Sequence, residues 1–240
     1  MTLKEINKIL NINDSYQAPQ RLMDILTGDI KKRNEIFKQF LELFHYDVTV
    51  DWFHQYFQDE HADRKEKKQD FTPNSVSDLL TAIVGEGDGT YYEPGAGTGG
   101  IMIKQWNSNR CDYSPFEYEP RFHWYHVEDL SDRAFPFLLF NMLVRGVNGI
   151  AVHCDVLTRE AYGAFFIQND FNDHMKFSSL NLMPYNEATE KELNIKFVEE
   201  RYKPVKQTKE IPEWLGLAMK NEVQEEISDK QLTIFEVLHG

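Results

Sequence analysis

The sequence predicts an α/β fold: a mostly parallel sheet with helices on both faces, preceded by a small helical region. Three observations point there. Residues 71–170 alternate helix-period segments with short β-rich ones, the pattern of a parallel sheet wrapped by helices. A strand-like run, TYYE, leads directly into the glycine-rich Glu93-Pro94-Gly95-Ala96-Gly97-Thr98-Gly99-Gly100, and a helix leaves it. The next two strand-like runs end in acids, Glu128 and Asp155. The chain divides at residue 70, into a helical region over 1–70 and the α/β domain over 71–240.

Within 1–70, RLMDIL follows Pro19, and a clearer helix spans about 29–45. Its Ile36, Phe37, Phe40, Leu41 and Phe44 share one face. Trp52, Phe53, Tyr56 and Phe57 follow at helical spacing, and ADRKEKKQD reads as a solvated connection. A helix then starts with Thr72 as cap and Pro73 in its first position. Its apolar face is Val76, Leu79, Leu80, Ile83 and Val84, and Gly85, Gly87 and Gly89 end it. After the glycine loop, a helix over about 98–107 precedes the strand RFHWYHVED. Ser131 or Asp132 caps the next helix, FPFLLFNMLVRG, which places Pro136 in the first turn, where its missing N–H costs no bond. GIAVHCD and AYGAFFIQND read as two buried strands joined by a short turn. Beyond 171, NIKFVEERYKPVK and QLTIFEVLH read as strands and EWLGLAMKNEVQEEI as a helix; there is no internal repeat.

Composition bounds the function. Of 240 residues, 41% are apolar and 27% charged, enough for a core and ordinary for a soluble chain. Collagen-like, low-complexity and wholly disordered readings are excluded. Acids outnumber bases 39 to 26, for a net charge of −13. That disfavours non-specific nucleic-acid binding over the whole surface. Contact with DNA would come from a local basic patch, such as Arg64-Lys65-Glu66-Lys67-Lys68, or from a partner chain. Cys111 and Cys154 cannot form a disulfide framework and fit a reducing, cytoplasmic setting. No apolar run approaches the ~18 residues of a membrane span, and MTLKEINKIL lacks a signal-peptide core. No metal is expected.

The glycine loop carries most of the chemistry. Four glycines in this strand-to-helix junction permit a sharp turn and a close approach of ligand to backbone. The Gly-x-Gly-x-Gly spacing differs from the dinucleotide fingerprint, and the Gly-Lys-Ser/Thr ending of a triphosphate loop is missing. Glu93 would repel a pyrophosphate but attract an ammonium or sulfonium group. A cationic, amino-acid-bearing ligand such as S-adenosylmethionine follows. Glu128, or Asp129 beside it, suits ribose hydroxyls, and Asp155 suits an adenine amino group, because ligands of open α/β sheets lie at the carboxyl ends of strands.

These residues resemble the N-6 DNA methylase family, the adenine-N6 methyltransferases that serve as modification subunits of type I restriction systems. The likeness rests on Phe71-Thr72-Pro73, Glu93 to Gly100, Glu128, RAFPFLLFNMLVRG and HCDVLT with Asp155. It covers about residues 50–170. It implies a class I S-adenosylmethionine-dependent methyltransferase fold, Rossmann-like in its sheet. It also implies that Phe71, Thr72 and Pro73 line the methionine end of the cofactor. Gly95, Ala96, Gly97, Thr98 and Gly99 would carry its backbone, and Glu128, Asp129 and Asp155 its ribose and adenine. DNA and a specificity subunit are the implied partners.

The family's catalytic Asn/Asp-Pro-Pro-Tyr/Phe, which polarises the target amine and stacks the flipped base, is degenerate here. The fourth strand ends in Asn169-Asp170-Phe171-Asn172, without prolines. Asn169 is the candidate for polarising the amine. A second candidate is Met183-Pro184-Tyr185, with Asn181 upstream. Phe171 or Tyr185 would stack the base, although Phe165, Phe166 and Phe171 also read as core residues. The competing functions are a cofactor-binding but catalytically silent relative, a methyltransferase acting on something other than DNA, and a dehydrogenase or unrelated nucleotide binder.

Overall fold

A computed structural model describes residues 3–54, 56, 89–114 and 116–208. The expected helix after Thr72, the basic stretch at 64–68, Phe57, Phe71-Thr72-Pro73 and the segments beyond 208 lie outside the described residues.

The N-terminal region is helical as expected: α1 (Leu3–Leu10), α2 (Ala18–Thr27) and α3 (Ile30–Leu43). The Asp29 side chain accepts from the Lys32 N–H and starts α3. Phe37 and Phe40 are buried on its inner face, where Phe37 meets Phe140 edge-on at 4.7 Å. The sheet follows with β1 (Thr90–Pro94), α4 (Gly100–Cys111), β2 (Trp124–Asp129), α5 (Phe135–Val144) and β3 (Gly149–Cys154). It continues with β4 (Glu160–Gln168), β5 (Ser179–Leu182), α6 (Glu187–Leu193) and β6 (Lys196–Phe197). Pro136 does sit in the first turn of α5, but the N-cap is Ala134, whose N–H is taken by Ser131 Oγ.

Strand order is β1-β2-β3-β4-β5, with β6 beside β4. The expected parallel core is present: β1, β2 and β3 run parallel, and β6 runs parallel to β4. β4 is different. It pairs antiparallel to β3, and β5 antiparallel to β4. The physical reason is the short link. Residues 155–159 make only a tight turn, whereas a parallel return needs a crossover of about a dozen residues. β5 therefore points the same way as β1–β3.

One buried cluster runs through α1–α5 and one face of the sheet. Every residue of α5 is buried, sandwiched between α2 and the strands. A smaller cluster on the other face joins Ile150, Val152, Cys154 and Phe166 to Leu193 of α6 and to Ile195. Phe165 and Phe166 are core, as their composition suggested.

Candidate functional site

The glycine loop turns between β1 and α4 at the carboxyl edge of the sheet. Gly95, Gly97 and Gly99 all have positive φ, at 73°, 58° and 92°, a region that side chains strongly disfavour. At Gly99 an added Cβ would come within 2.9 Å of Leu138 Cδ1. At Gly95 it would meet nothing within 4 Å, and the same holds at Gly100. Among the described residues, no atom crowds the backbone at these two positions.

The loop is held from three sides. The Ala96 N–H donates to the Glu128 carbonyl at 2.8 Å, and the Gly97 N–H to Asp129 Oδ2 at 2.7 Å. Beneath, the buried Asn141 amide donates to the Thr98 carbonyl at 2.7 Å and to Asp51 Oδ1 at 2.9 Å. Thr98 Oγ1 donates to the other Asp51 oxygen. Arg145 closes this network, donating to Asn141 Oδ1 and to the carbonyls of Val48 and Val50. Sequence reasoning missed Asp51, Asn141 and Arg145. An asparagine inside the otherwise apolar run FPFLLFNMLV was the available signal, because a polar residue on a buried helix requires partners.

Glu93 is buried and accepts from Tyr91 Oη at 3.0 Å. Burial pushes its carboxyl up to about 7, against the opposing hydrogen bonds from Tyr91 and the Met102 N–H. It is an acid whose charge can be set by a ligand near neutral pH.

The adjacent acids Glu128 and Asp129 separate. Asp129 faces the loop, and its other oxygen accepts from the Ser131 N–H at 2.7 Å. Burial raises its carboxyl above the usual range, with the Ser131 and Gly97 N–H bonds opposing. Glu128 is fully buried and engaged elsewhere. Arg159 grips it with two nitrogens at 2.6 and 2.9 Å, Tyr92 Oη donates at 3.1 Å, and His126 Nε2 lies at 3.2 Å. Burial alone would raise the Glu128 carboxyl, but the bonds and charges of His126 and Arg159 outweigh it and hold it down to about 2. The expected ribose role of Glu128 is corrected on this ground, since its acceptor positions are taken by its own chain. Asp129 is the acid that reaches the loop.

Asp155 is at the carboxyl end of β3, where its Oδ1 accepts from the Leu157 and Thr158 N–H groups and shapes the β3–β4 turn.

The reversal of β4 also corrects the catalytic candidates. Asn169 lies at the amino edge of the sheet, six register positions below the loop, about 20 Å away at the strand rise. Its amide donates to the carbonyls of Gly146, Asp173 and Lys176, and its Oδ1 accepts from the Asp173 N–H. It is a buried turn lock, with its amide held by three carbonyls and its Oδ1 turned to the Asp173 N–H. Gly146 allows the close approach: it has φ 67°, and a Cβ there would fall 2.4 Å from the Lys176 carbonyl. Phe171, at the same edge, is 73% exposed and far from the glycine loop. Pro184 and Tyr185 follow β5 and reach the carboxyl edge. They are four strands from β1, however, about 19 Å across the sheet at the usual strand spacing. Tyr185 Oη donates to the Tyr162 carbonyl and accepts from the Tyr202 N–H. Neither candidate tetrapeptide comes together with Glu93.

A family model, N-6 DNA Methylase, matches residues 45–226. The chain belongs to the N-6 DNA methylase family. The matched range takes in the glycine loop, the Asp51–Asn141–Arg145 network and the acids Glu128, Asp129 and Asp155. A solved structure from Vibrio vulnificus YJ016, described as a type I restriction enzyme modification subunit, is similar at 10% identity and a TM-score of 0.38. The likeness covers 55% of this chain and 25% of that one, so this chain spans about a quarter of its length. No curated protein matches the chain. Among the described residues, no helix is long and apolar enough to cross a membrane.

Proposed function

We propose that this methylase-family chain binds S-adenosylmethionine over the glycine loop and transfers its methyl to the N6 amino group of adenine in DNA. The observation that supports this best is the loop itself: three left-handed glycines at the carboxyl edge, with Asp129 on the Gly97 N–H and the buried Glu93 at the end of the strand that enters it. Those groups suit the cofactor's chemistry: carboxylates for a cationic, hydroxyl-bearing ligand and left-handed glycines for close backbone approach. Gly95, Ala96, Gly97, Thr98 and Gly99 would carry the cofactor, Asp129 its ribose and Asp155 its adenine. Phe71, Thr72 and Pro73 are proposed for the methionine end. When bound, the sulfonium supplies an electrophilic methyl. The protein's part is to hold that charge beside Glu93 and to keep the loop rigid through Asp129 and Asn141. Of the aromatic candidates, Tyr185 stays in the proposal, because it is at the carboxyl edge. DNA is engaged through a specificity subunit or another partner, as the acidic surface suggests, in the cytoplasm.

A second reading has its own support. Asn169 is locked in a turn and Pro184-Tyr185 is four strands from the loop. This favours a relative that binds cofactor without transferring methyl and serves as a regulatory partner.

Calorimetry with S-adenosylmethionine tests the shared premise; heat and thermal stabilisation are expected, and the absence of both removes the two readings together. Transfer of labelled methyl to unmethylated DNA, with and without candidate specificity subunits, separates them. Label in adenine supports the enzyme. Binding without transfer supports the silent relative.

A further inference from the structure

A second concave site lies at the opposite edge of the sheet. It is a cavity of ≈ 660 Å³ between the end of α3, the last turns of α4 and α5, and the β4–β5 loop. The glycine loop is at the other end of α4, where Gly100 lies about 9 Å from Trp106 and about 15 Å from Arg110 along the helix at 1.5 Å per residue. The volume is in the range of small-molecule sites.

Its lining is distinctive. Trp106, Tyr113, Tyr118 and His174 supply aromatic surface. They are mutually braced: Tyr118 meets Tyr113 at 6.1 Å and His174 at 6.3 Å between ring centroids. Three cations, Arg110, Arg145 and Lys176, line it, and among the described residues no Asp or Glu does, in a chain where acids outnumber bases 39 to 26. Arg110 stacks its guanidinium over Trp106, 4.6 Å from the ring. Its Nε bonds Asn107. Arg145 is spent on backbone carbonyls and Asn141 and its charge is offset by Asp51 and Asp47, so the cations available to a ligand are Arg110 and Lys176. Lys176 stands exposed at the rim. A cation-bearing pocket with aromatic walls selects a flat ring that carries negative charge.

We propose that this cavity is a second binding site, for a nucleoside monophosphate unit, with the base against the exposed rings of Tyr113 and His174 and the phosphate toward Arg110 and Lys176. It is separate from the glycine loop and does not depend on the function proposed for that loop. The unit can come from a free nucleotide or from a single-stranded nucleic acid, which stacks its bases on aromatic side chains in the same way.

The rim offers a reporter. Cys111 lines the cavity and is exposed, whereas Cys154 is buried and its thiol is pushed up to about 12, burial being the largest cause. Alkylation of the whole protein should therefore label Cys111 selectively. We expect AMP to slow that labelling at least fivefold, and adenosine to do so more weakly. Arg110→Gln and Lys176→Gln should each weaken AMP protection about tenfold and leave the melting temperature near wild type. S-adenosylmethionine at saturation should leave the protection in place. A short oligodeoxynucleotide that protects better than AMP assigns the unit to nucleic acid, and the reverse assigns it to a free nucleotide. The proposal is overturned if neither AMP nor the oligonucleotide protects. It is also overturned if both variants protect as well as wild type, or if S-adenosylmethionine displaces AMP.

Discussion

The two edges of the sheet hold the same kinds of residue and do different things with them. At the carboxyl edge, the left-handed Gly95 has no described atom within 4 Å of where a Cβ would lie, and Asp129 accepts from the Gly97 N–H two residues on. At the amino edge, the left-handed Gly146 is closed by Asn169 and Lys176, and the amide is consumed by three carbonyls. A glycine beside a polar side chain is thus a proposed ligand cradle in one place and a turn lock in the other. What separates them is strand direction. The neighbouring acids repeat the lesson on a smaller scale: Asp129 faces the loop, while Glu128 is gripped by Arg159.

The sharpest way to break the comparison is Glu128→Ala. It leaves Arg159 without its bidentate partner and should cost about 3 kcal/mol, below the full buried-pair penalty because Arg159 is a quarter exposed. Urea unfolding measures this. Cofactor affinity in the folded fraction should change less than about twofold, RT ln 2 being only ~0.4 kcal/mol. A selective loss of cofactor binding with unchanged stability would return Glu128 to the ribose.

Glu93 gives a pH test of comparable size. Its folded carboxyl titrates at about 7, above its ordinary range. The folded state therefore holds the proton longer than the unfolded one. This group's contribution is complete below about pH 4.5 and is lost as pH rises through about 7, at most about 3 kcal/mol. Glu93→Gln should remove that slope from urea midpoints collected between pH 4 and 8. Binding of a cationic cofactor to wild type should strengthen across the same interval, and it should not do so in the variant.

Asn169→Ala should cost about 2 kcal/mol, because it leaves buried carbonyls without a donor. Cofactor binding and any methyl transfer should be unaffected. Loss of transfer in a protein of unchanged stability would contradict the turn-lock assignment. Phe171→Ala, at an exposed position, should shift stability by no more than about 0.5 kcal/mol and leave activity alone.

Much of the fold was legible because its signals are local. The apolar face of α3, TYYE running into glycines, and the buried run of α5 each announce an element within a few residues. The loop and its acids were legible for the same reason. What was not legible depends on direction and partners. AFFIQ has the same residues whether its strand runs up or down, and only the short 155–159 link decides it. Glu128 and Asp129 are adjacent acids until Arg159, 31 residues from the first of them, claims it. β5 escaped notice because SLNL is short and half polar. Asp51 carries no local mark of its bond to Asn141, 90 residues away.

The central claim is that Asp129, with the glycine loop, holds the ribose of S-adenosylmethionine. Titration calorimetry of the cofactor into wild type and Asp129→Ala, alongside their melting curves, tests it most directly. The account predicts measurable binding to wild type and a loss of at least tenfold, about 1.4 kcal/mol, in a variant that still melts cooperatively. Equal affinity in the two proteins, or no binding to wild type, would contradict it.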